Sequence, residues 1–300
     1  MAEVLDNLKG EKKSVFNIIN CRGARGGDGY LMRLDGANIL VDTGYGFSAK
    51  RMIEKLKNEL KDEQLDYILL THSHYDHAMG SAYIKKEVPD CKIIASAYCN
   101  EILNKPTARQ AMRKMDNCAA MAFGLETAED LSEELSVDII VTDGDEISLG
   151  NNSVRIISLT GHTKCCIGYY FIKEKFLISC ETLGIYAGEM QVLPGCLIGY
   201  KMTVDAINKA KALDINEILI PHSGILYGEK VNEYLNNAES VTIECKDLIV
   251  NAYRNGADEK EIVRLFKGKY YSDSIARFYP EPALMANLKA QIPMFVKECL

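Results

Sequence analysis

The sequence predicts an α/β fold followed by a helical C-terminal region. Short apolar segments of strand character alternate with amphipathic segments of helical period up to Ser96, and strand-forming segments resume after residue 137. Beyond Lys230 no strand pattern appears, and three helical segments fill the rest of the chain. A boundary near Gly228 therefore divides the chain into an α/β domain, residues 1–228, and a helical region, residues 229–300.

The first part of the chain begins with three short strands joined by glycine-containing turns. A helix follows, because apolar residues recur at helical spacing and Ser48 is a suitable N-cap. An apolar strand, a short helix and another strand come next. The predicted strands are Ser14–Asn20, Tyr30–Leu34, Asn38–Val41, Leu65–Leu70 and Cys91–Ser96, and the predicted helices are Phe47–Leu60 and Gly80–Glu87.

A Met- and Ala-rich segment, Ala108–Leu135, is predicted to be a mostly helical insertion between two sheet regions. Strands then resume with hairpin-like spacing, and glycine or charged residues occupy the turns between them. The predicted elements are strands Asp138–Val141, Glu146–Leu149, Ser153–Leu159, Ile167–Ile172 and Lys175–Ser179, helix Met202–Leu213, a final strand Glu217–Ile220, and helices Glu233–Arg254, Asp258–Lys267 and Pro282–Cys299.

The bulk composition is that of a soluble globular protein, with 47% hydrophobic and 26% charged residues among 300. The net charge of −7 argues against a dedicated nucleic-acid binder, which would present a basic face. No apolar run approaches the roughly 20 residues that span a bilayer, and Met1–Lys13 lacks the apolar stretch of a signal peptide. We therefore expect a cytoplasmic protein without nucleic-acid or membrane partners.

Ten cysteines are present, but no two of them form a Cys-x-x-Cys pair. Without export, reduced thiols that serve as small core residues are the better interpretation. The pair Cys165-Cys166 follows His162 closely, so a redox or ligand role there is the minor alternative.

All five histidines lie in three short segments, and three of them, His72, His74 and His77, fall within six residues. Imidazole groups and the Asp76 carboxylate packed this densely would desolvate one another at high cost unless a cation were bound. Imidazole is the commonest metal ligand among side chains. The cluster therefore predicts a metal site, although lone histidines such as His162 and His222 are more often structural.

Each candidate ligand stands where a predicted strand ends and a loop begins, which is where α/β proteins place their chemistry. His72 and His74 are two residues apart, so in extended backbone they share one side. Asp76 and His77 lie beyond the bend and reach a second point. One strand end can thus serve two metal ions. Two such ions normally need a bridging carboxylate or hydroxide, and Glu181, directly after a strand, is well placed to bridge.

The motif His72-x-His74-x-Asp76-His77, together with Asp42 in a Val-Asp-Thr-Gly run, His162 in a Gly-His-Thr and His222 after a late strand, resembles the metallo-β-lactamase superfamily from Asn17 to about Gly228. The resemblance implies an αββα sandwich with a metal site at one edge. It also implies a first metal held by His72, His74 and His162, a second held by Asp76, His77 and His222, and a supporting role for Asp42 behind the ligand loop.

One position departs from the family pattern. Members of the family usually bridge the metals with an aspartate in a Gly-Asp pair, whereas this chain has Cys180-Glu181. Glu181 is the preferred bridging ligand, because Cys180 takes the place of the usual glycine, and Cys180 is the alternative. Two divalent ions are expected, with zinc as the first choice and iron or manganese as alternatives.

Metal coordination lowers the pKa of water to about 7, which makes a nucleophile available at neutral pH. Asp76 is the candidate to orient that water and accept its proton. Tyr75 and Tyr186 are candidates to donate a hydrogen bond to a developing oxyanion or to contact substrate, with packing as their simpler role. We predict hydrolysis of a small ester-like substrate, with a thioester of the acyl-CoA type first, a lactone second and a phosphodiester third.

The layout of the insertion and the helical tail is similar to that of the quinolone signal response thioesterase. Phe278, Tyr279 and the methionines of the insertion would then form an apolar acyl pocket, whereas a tail that only packs on the sandwich or forms a homodimer contact would not. Two other function classes stay open. One is a di-iron redox protein, which His74 disfavours because the redox branch usually has glutamate there. The other is a regulatory protein with vestigial hydrolysis.

Overall fold

The computed structural model describes residues 14–277 and 279–300. Met1–Lys13 and Phe278 lie outside the described residues. The prediction that Met1–Lys13 is no signal peptide and the prediction that Phe278 lines an acyl pocket therefore concern residues outside the described part of the chain. The chain forms two compact units. Among the described residues, the N-terminal unit comprises 14–156 and 171–173, and the C-terminal unit comprises 157–170, 174–277 and 279–300.

The N-terminal unit contains a six-stranded sheet in the order β1-β2-β3-β4-β5-β6. The first three strands form an antiparallel meander, and β4, β5 and β6 add to it in parallel. Val41 pairs with Leu69, so β3 and β4 end at the same edge of the sheet. The strands are β1 Asn17–Asn20, β2 Tyr30–Leu34, β3 Ala37–Val41, β4 Tyr67–Leu69, β5 Lys92–Ser96 and β6 Ile139–Val141.

Five helices accompany this sheet among the described residues. Ser48 occupies the N-cap position of the first, as predicted, but its side chain makes no capping bond. The predicted helical insertion is too long, because the helix ends at Ala122 and only a 3₁₀ turn, Ser132–Glu134, follows it. The helices are α1 Ala49–Leu60, α2 Tyr75–Ala78, α3 Gly80–Glu87, α4 Ala97–Leu103 and α5 Pro106–Ala122.

The predicted hairpin of β7, Glu146–Leu149, with β8, Asn152–Ser158, is confirmed. The prediction of hairpin pairing between β6 and β7 is wrong, because β6 pairs in parallel with β5. Asp138 explains the difference. Its N–H donates to Ile93 O at 2.8 Å, and its carboxylate accepts from Ile93 N at 2.8 Å, so the start of β6 is fastened beside β5.

In the C-terminal unit the strand order is β14-β13-β10-β9. Glu217–Ile220, predicted as the final strand, is followed by one more strand that pairs with it in antiparallel fashion, so that prediction is wrong. A small hairpin, β11 with β12, was not predicted. The strands are β9 Ile167–Phe171, β10 Phe176–Ile178, β11 Ile185–Tyr186, β12 Val192–Leu193, β13 Glu217–Ile220 and β14 Gly224–Tyr227.

The C-terminal helices share one buried apolar cluster with the hairpin β11–β12. Cys245, Phe266 and Phe295 of the helices belong to it, as do Ile185 and Leu193 of the hairpin. The helical residues thus pack within the C-terminal unit, and a domain boundary at 228 stays a prediction. The helices are α6 Tyr200–Lys211, α7 Glu229–Arg254, α8 Glu259–Tyr270, α9 Asp273–Ala276 and α10 Glu281–Cys299.

Eight of the ten cysteines are buried, which confirms the predicted core position for those eight. Cys118 is exposed and Cys299 is partly exposed, so these two depart from that prediction. Among the helices that the structure describes, none has the length and apolarity that crossing a membrane requires.

Candidate metal centre

The ligand loop of the N-terminal unit follows β4 and runs in extended form to His74, where α2 begins. The ring of His72 lies 4.7 Å from that of His74 and 4.1 Å from that of His77, measured between centroids. His72 and His77 are buried, whereas His74 and Asp76 are partly exposed. Three imidazoles and one carboxylate therefore crowd together within this unit.

Asp42 supports the loop from behind. Its Oδ1 accepts from Thr71 N, and its Oδ2 accepts from Thr71 Oγ1 and from His77 Nδ1, each at 2.8 Å. Its backbone is left-handed, with φ of 54°, a conformation that is stored at functional sites when side chains must be aimed. Burial raises the pKa of this carboxyl, and the contact with His77 opposes that rise.

Thr71 directly precedes the first histidine of the run, and the spacing of the histidines assigned it no role. Its hydroxyl donates to Asp42, so toward His72 Nδ1, 3.0 Å away, it can only accept. His72 therefore carries its proton on Nδ1. His77 does the same, because a carboxylate accepts only. In both rings Nε2 keeps the lone pair that a metal ligand needs.

Two further segments hold the ligand loop. Thr43 donates from N and from Oγ1 to the carbonyl of His77, at 2.7 and 2.8 Å. Asp28 N donates to the carbonyl of Asp76 at 3.1 Å. Ligand-type atoms of Asp28, Asp42 and His77 all lie within 4.8 Å of one another. Asp28 lies in one of the predicted glycine-containing turns, and a carboxylate between glycines was the sequence signal that could have pointed to a larger role.

The C-terminal unit places Glu181 between two histidines. Its Oε1 lies 3.0 Å from His222 Nε2, and its Oε2 lies 3.2 Å from His162 Nε2. All three side chains are buried. Glu181 opens a 3₁₀ turn after β10, and His222, in the turn between β13 and β14, has left-handed backbone with φ of 63°. Strand pairing thus brings together three residues that are far apart in the sequence.

The protonation of His162 tests whether these residues suit a metal ion. Its Nδ1 lies 3.0 Å from the carbonyl oxygen of Gly195, which can only accept, so Nδ1 carries the proton. The opposite nitrogen, Nε2, then faces the Glu181 carboxylate, and this pairing requires a cation, either a second proton or a metal. An ion with tetrahedral bonds of about 2.0 Å holds neighbouring ligand atoms about 3.3 Å apart. The donor set therefore fits.

Cys180, the alternative ligand, points elsewhere. Its thiol donates to the carbonyl of Leu159 at 3.7 Å and also contacts the thiol of Cys166. The backbone N–H of His162 donates to Thr182 Oγ1 at 3.0 Å, which fastens the His162 loop to the turn that carries Glu181. Glu181 thus has the contacts with histidine nitrogen expected of a ligand, and Cys180 has contacts typical of a core thiol.

The C-terminal helices cover the Glu181 side of this unit. A cavity of about 10 Å³, enough for one water molecule, is lined by His162 and Glu181 together with Tyr279, Leu288 and Gln291. The ring of Tyr279 lies 6.1 Å from that of His222. Gln291 donates to the carbonyl of Cys196 at 2.8 Å, which fixes α10 over the site.

The two tyrosines predicted to contact substrate are both half-buried. Tyr75 lies in the N-terminal unit, where its ring contacts Tyr45 at 5.6 Å. Tyr186 lies in the C-terminal unit, 6.2 Å from the ring of Tyr234. Among the methionines of the insertion, Met112 is buried whereas Met115 and Met121 are exposed. Packing contacts thus cover part of the surface of each tyrosine, and the rest of that surface is open to solvent.

Comparison with known proteins gives a family match. The family model described as metallo-beta-lactamase superfamily matches residues 22–222. The chain is 24% identical over 216 residues to the metallo-beta-lactamase fold-containing protein ST1585 of Sulfurisphaera tokodaii, covering 69% of this chain and 76% of the relative. The solved structure of ST1585 superposes with a TM-score of 0.59 at 15% identity, over 96% of this chain and 100% of that one.

Two other relatives represent different chemistries. Hydroxyacylglutathione hydrolase of a Bradyrhizobium species is 27% identical over 187 residues, 62% of this chain and 57% of the relative. Flavo-diiron protein FprA2 of Clostridium acetobutylicum is 31% identical over 74 residues, 23% of this chain and 18% of the relative. The chain spans about half the length of the first curated relatives that it matches.

Proposed function

The chain belongs to the metallo-β-lactamase superfamily, and from this premise we propose that it is a dinuclear metal hydrolase of a small ester-like substrate. In this proposal His72, His74 and His162 would hold one divalent ion, and Asp76, His77 and His222 would hold the other. Glu181 would be the ligand shared by the two. Zinc is the first choice, with iron or manganese as alternatives, because imidazole and carboxylate ligands suit all three.

The contact of the Glu181 carboxylate with two histidine Nε2 atoms supports this proposal most directly. The proton of His162 is held on Nδ1 by a backbone carbonyl, so the carboxylate and the imidazole share a site that a cation stabilises. Each oxygen of the carboxylate contacts a different histidine, which is compatible with a carboxylate shared between two ions. Asp42 orients the ring of His77, and Thr71 orients the ring of His72, so that the Nε2 atom of each ring is available to a metal ion.

When bound, the ions would supply Lewis acidity and lower the pKa of water to about 7. The chain's own groups complete the chemistry. Asp76 is partly exposed at the end of the ligand loop, where it can orient a water molecule and accept its proton. Tyr75 and Tyr186, each with part of its surface open to solvent, are the candidates to donate a hydrogen bond to the oxyanion that forms.

A thioester is the favoured substrate, with a lactone second and a phosphodiester third. Two observations support this order. A relative named hydroxyacylglutathione hydrolase matches more than half of the chain, and apolar groups of the C-terminal helices, Tyr279 and Leu288 among them, lie beside Glu181. An apolar wall beside a metal site favours the acyl group of a thioester over the charged phosphate of a phosphodiester.

The experiment combines elemental analysis with a substrate panel. We expect two equivalents of metal per chain and turnover of acyl-CoA or acyl-glutathione thioesters that exceeds turnover of lactone and bis-p-nitrophenyl phosphate. Asp76→Asn should abolish turnover while circular dichroism stays unchanged. Fewer than two equivalents in the fully loaded protein, or a lack of hydrolysis across the panel, would contradict the proposal.

A di-iron redox protein is the second candidate, favoured by the similarity to FprA2 over 74 residues. Iron in the purified protein together with reduction of oxygen or nitric oxide would establish it, and zinc with thioesterase turnover would exclude it. Asp76→Ala distinguishes the hydrolase from a regulatory protein with vestigial hydrolysis. Loss of turnover with an unchanged cellular phenotype would support the regulatory protein. A homodimer through the C-terminal helices stays a prediction for light scattering to test.

A further inference from the structure

A second pocket in the C-terminal unit opens beside the residues that follow His222. Its volume is about 370 Å³, within the range of small-molecule sites, roughly 300–1,000 Å³. Ser223 and Gly224, directly after His222, line one wall, and Tyr186 of β11 lines another. Lys230 at the start of α7 and Arg277 just after α9 complete the rim. The pocket therefore has in its lining both the two residues that follow the candidate ligand His222 and residues of the helical region.

The charge of this pocket is unusual for an acidic chain. The protein carries a net charge of −7, yet two of the three charged side chains that line the pocket, Lys230 and Arg277, are cations, and Glu189 is the third. Other cations of this unit, such as Lys211 with Glu239, have acidic partners. Neither Lys230 nor Arg277 makes an ion pair or a side-chain hydrogen bond within the residues that the structure describes.

One segment of the lining, Gly188 and Glu189, belongs to a turn with strained backbone. Gly188, Glu189 and Met190, in the turn between β11 and β12, have φ values of 90°, 46° and 57°. Left-handed backbone at two consecutive non-glycine residues is costly and is retained where it shapes a functional surface. The turn is closed by bonds of 2.9 and 2.8 Å between Ala187 and Gln191 and between Gln191 and Gly188, so it is a defined wall.

We propose that this pocket binds the anionic end of the substrate, a carboxylate or phosphate group, through Arg277 and Lys230. This inference rests on the proposed hydrolase function and adds the class of substrate, an anionic thioester. Arginine pairs with carboxylate or phosphate through two parallel hydrogen bonds, and lysine adds a point charge. With the anion held there, the acyl group would extend past Ser223, the direct neighbour of His222.

The test uses three thioesters with the same butyryl group on the full-length, metal-loaded protein: butyryl-CoA, butyryl-glutathione and the neutral S-butyryl-N-acetylcysteamine. Arg277→Ala and Lys230→Ala should each raise KM for an anionic thioester about tenfold, the equivalent of one charge-assisted bond, and leave kcat within about twofold. KM for the neutral thioester should not change. Whichever anionic compound responds identifies phosphate or carboxylate as the ligand.

Lys260→Ala is the matched control, because Lys260 is an exposed lysine of α8 that lines none of these pockets. Equal effects of Lys260→Ala, or equal effects on the neutral thioester, would overturn the proposal. If the metal-loaded protein hydrolyses no thioester, the hydrolase proposal fails. Calorimetry with CoA and with glutathione then tests, independently of turnover, whether the pocket binds an anion. Binding that Arg277→Ala/Lys230→Ala abolishes supports an anion site, and binding that is absent or unchanged refutes it.

Discussion

Oδ2 of Asp42 lies 2.8 Å from Nδ1 of His77, in a contact between two buried side chains. Residue 42 directly follows β3, and the pairing of Val41 with Leu69 sets it beside the start of the ligand loop. The left-handed backbone at Asp42 then turns the carboxylate toward Thr71 and His77. A residue without a predicted contact to metal thereby sets the orientation of two candidate ligands.

Asp42→Asn should weaken metal binding without unfolding the protein. Asparagine tolerates left-handed backbone, but its amide nitrogen cannot accept the hydrogen bonds that Oδ2 accepts from Thr71 and His77. Loss of such a partner typically lowers metal affinity 10- to 100-fold. Competition with a chromogenic chelator measures this affinity. Asp35→Asn, at an exposed turn, is the control, and an affinity of Asp42→Asn equal to that of Asp35→Asn would contradict the supporting role.

Glu181→Gln should reduce the metal content from two equivalents to one or fewer. The amide keeps the size of the side chain but loses the charge, and one of its ends becomes a donor that faces an imidazole nitrogen or a metal ion. Inductively coupled plasma analysis after dialysis gives the content. Cys180→Ser is the matched variant, because it alters the neighbouring residue, and it should retain both equivalents. The reverse pattern would make Cys180 the ligand.

The stability of the N-terminal unit should depend on pH through Asp116. This buried carboxylate of α5 accepts from Gly46 N and Phe47 N, at 2.8 and 3.1 Å, and burial raises its pKa from 3.8 to about 6. A raised folded-state pKa means that the folded protein binds the proton more tightly. The contribution is therefore complete below pH 3.8 and is lost as the pH rises through 6. Its full size is about 3 kcal/mol.

Asp116→Asn removes this titration, and urea unfolding at several pH values between 4 and 8 measures the effect. The free energy of unfolding of the wild type, relative to the variant, should increase as the pH falls through about 6. The histidines are common to both proteins, so their titration cancels in the difference. A difference that stays constant over this range would show that Asp116 titrates normally.

Gly195→Ala should disrupt the Glu181 region. A Cβ at residue 195 would lie 1.7 Å from the carbonyl oxygen of Glu181, so the backbone of one segment must shift, and with it the carbonyl that holds His162. We expect a loss of several kcal/mol in the free energy of unfolding, together with loss of metal.

Gly268→Ala is the control for that substitution. Gly268 lies inside α8, and a Cβ there meets nothing within 4 Å. Alanine is the better helix former by about 0.5–1 kcal/mol, so this variant should be slightly more stable. Thermal unfolding compares the two. If Gly195→Ala melts at the wild-type temperature with full metal content, the close approach of Gly195 to Glu181 is not needed for the site.

The sequence by itself determined the features that depend on local pattern. Apolar runs of strand length, such as the one ending at Leu70, predicted where strands lie. The histidine run after it predicted a metal site, because neighbours in sequence are neighbours in space. Glu181 was predicted to be a ligand in the same way, as a carboxylate directly after a strand. The helical nature of the chain beyond Lys230 also followed from local periodicity.

Only the tertiary structure decided which distant groups meet. The sequence predicted a hairpin between β6 and β7, whereas contacts of Asp138 with Ile93 place β6 beside β5. Glu181 and His222 are separated by 41 residues, and their contact depends on the parallel pairing of β10 with β13. The proton on Nδ1 of His162 depends on the carbonyl of Gly195. Local periodicity reports which residues form a strand, but strand order and register arise from long-range packing, and these set the contacts of the site.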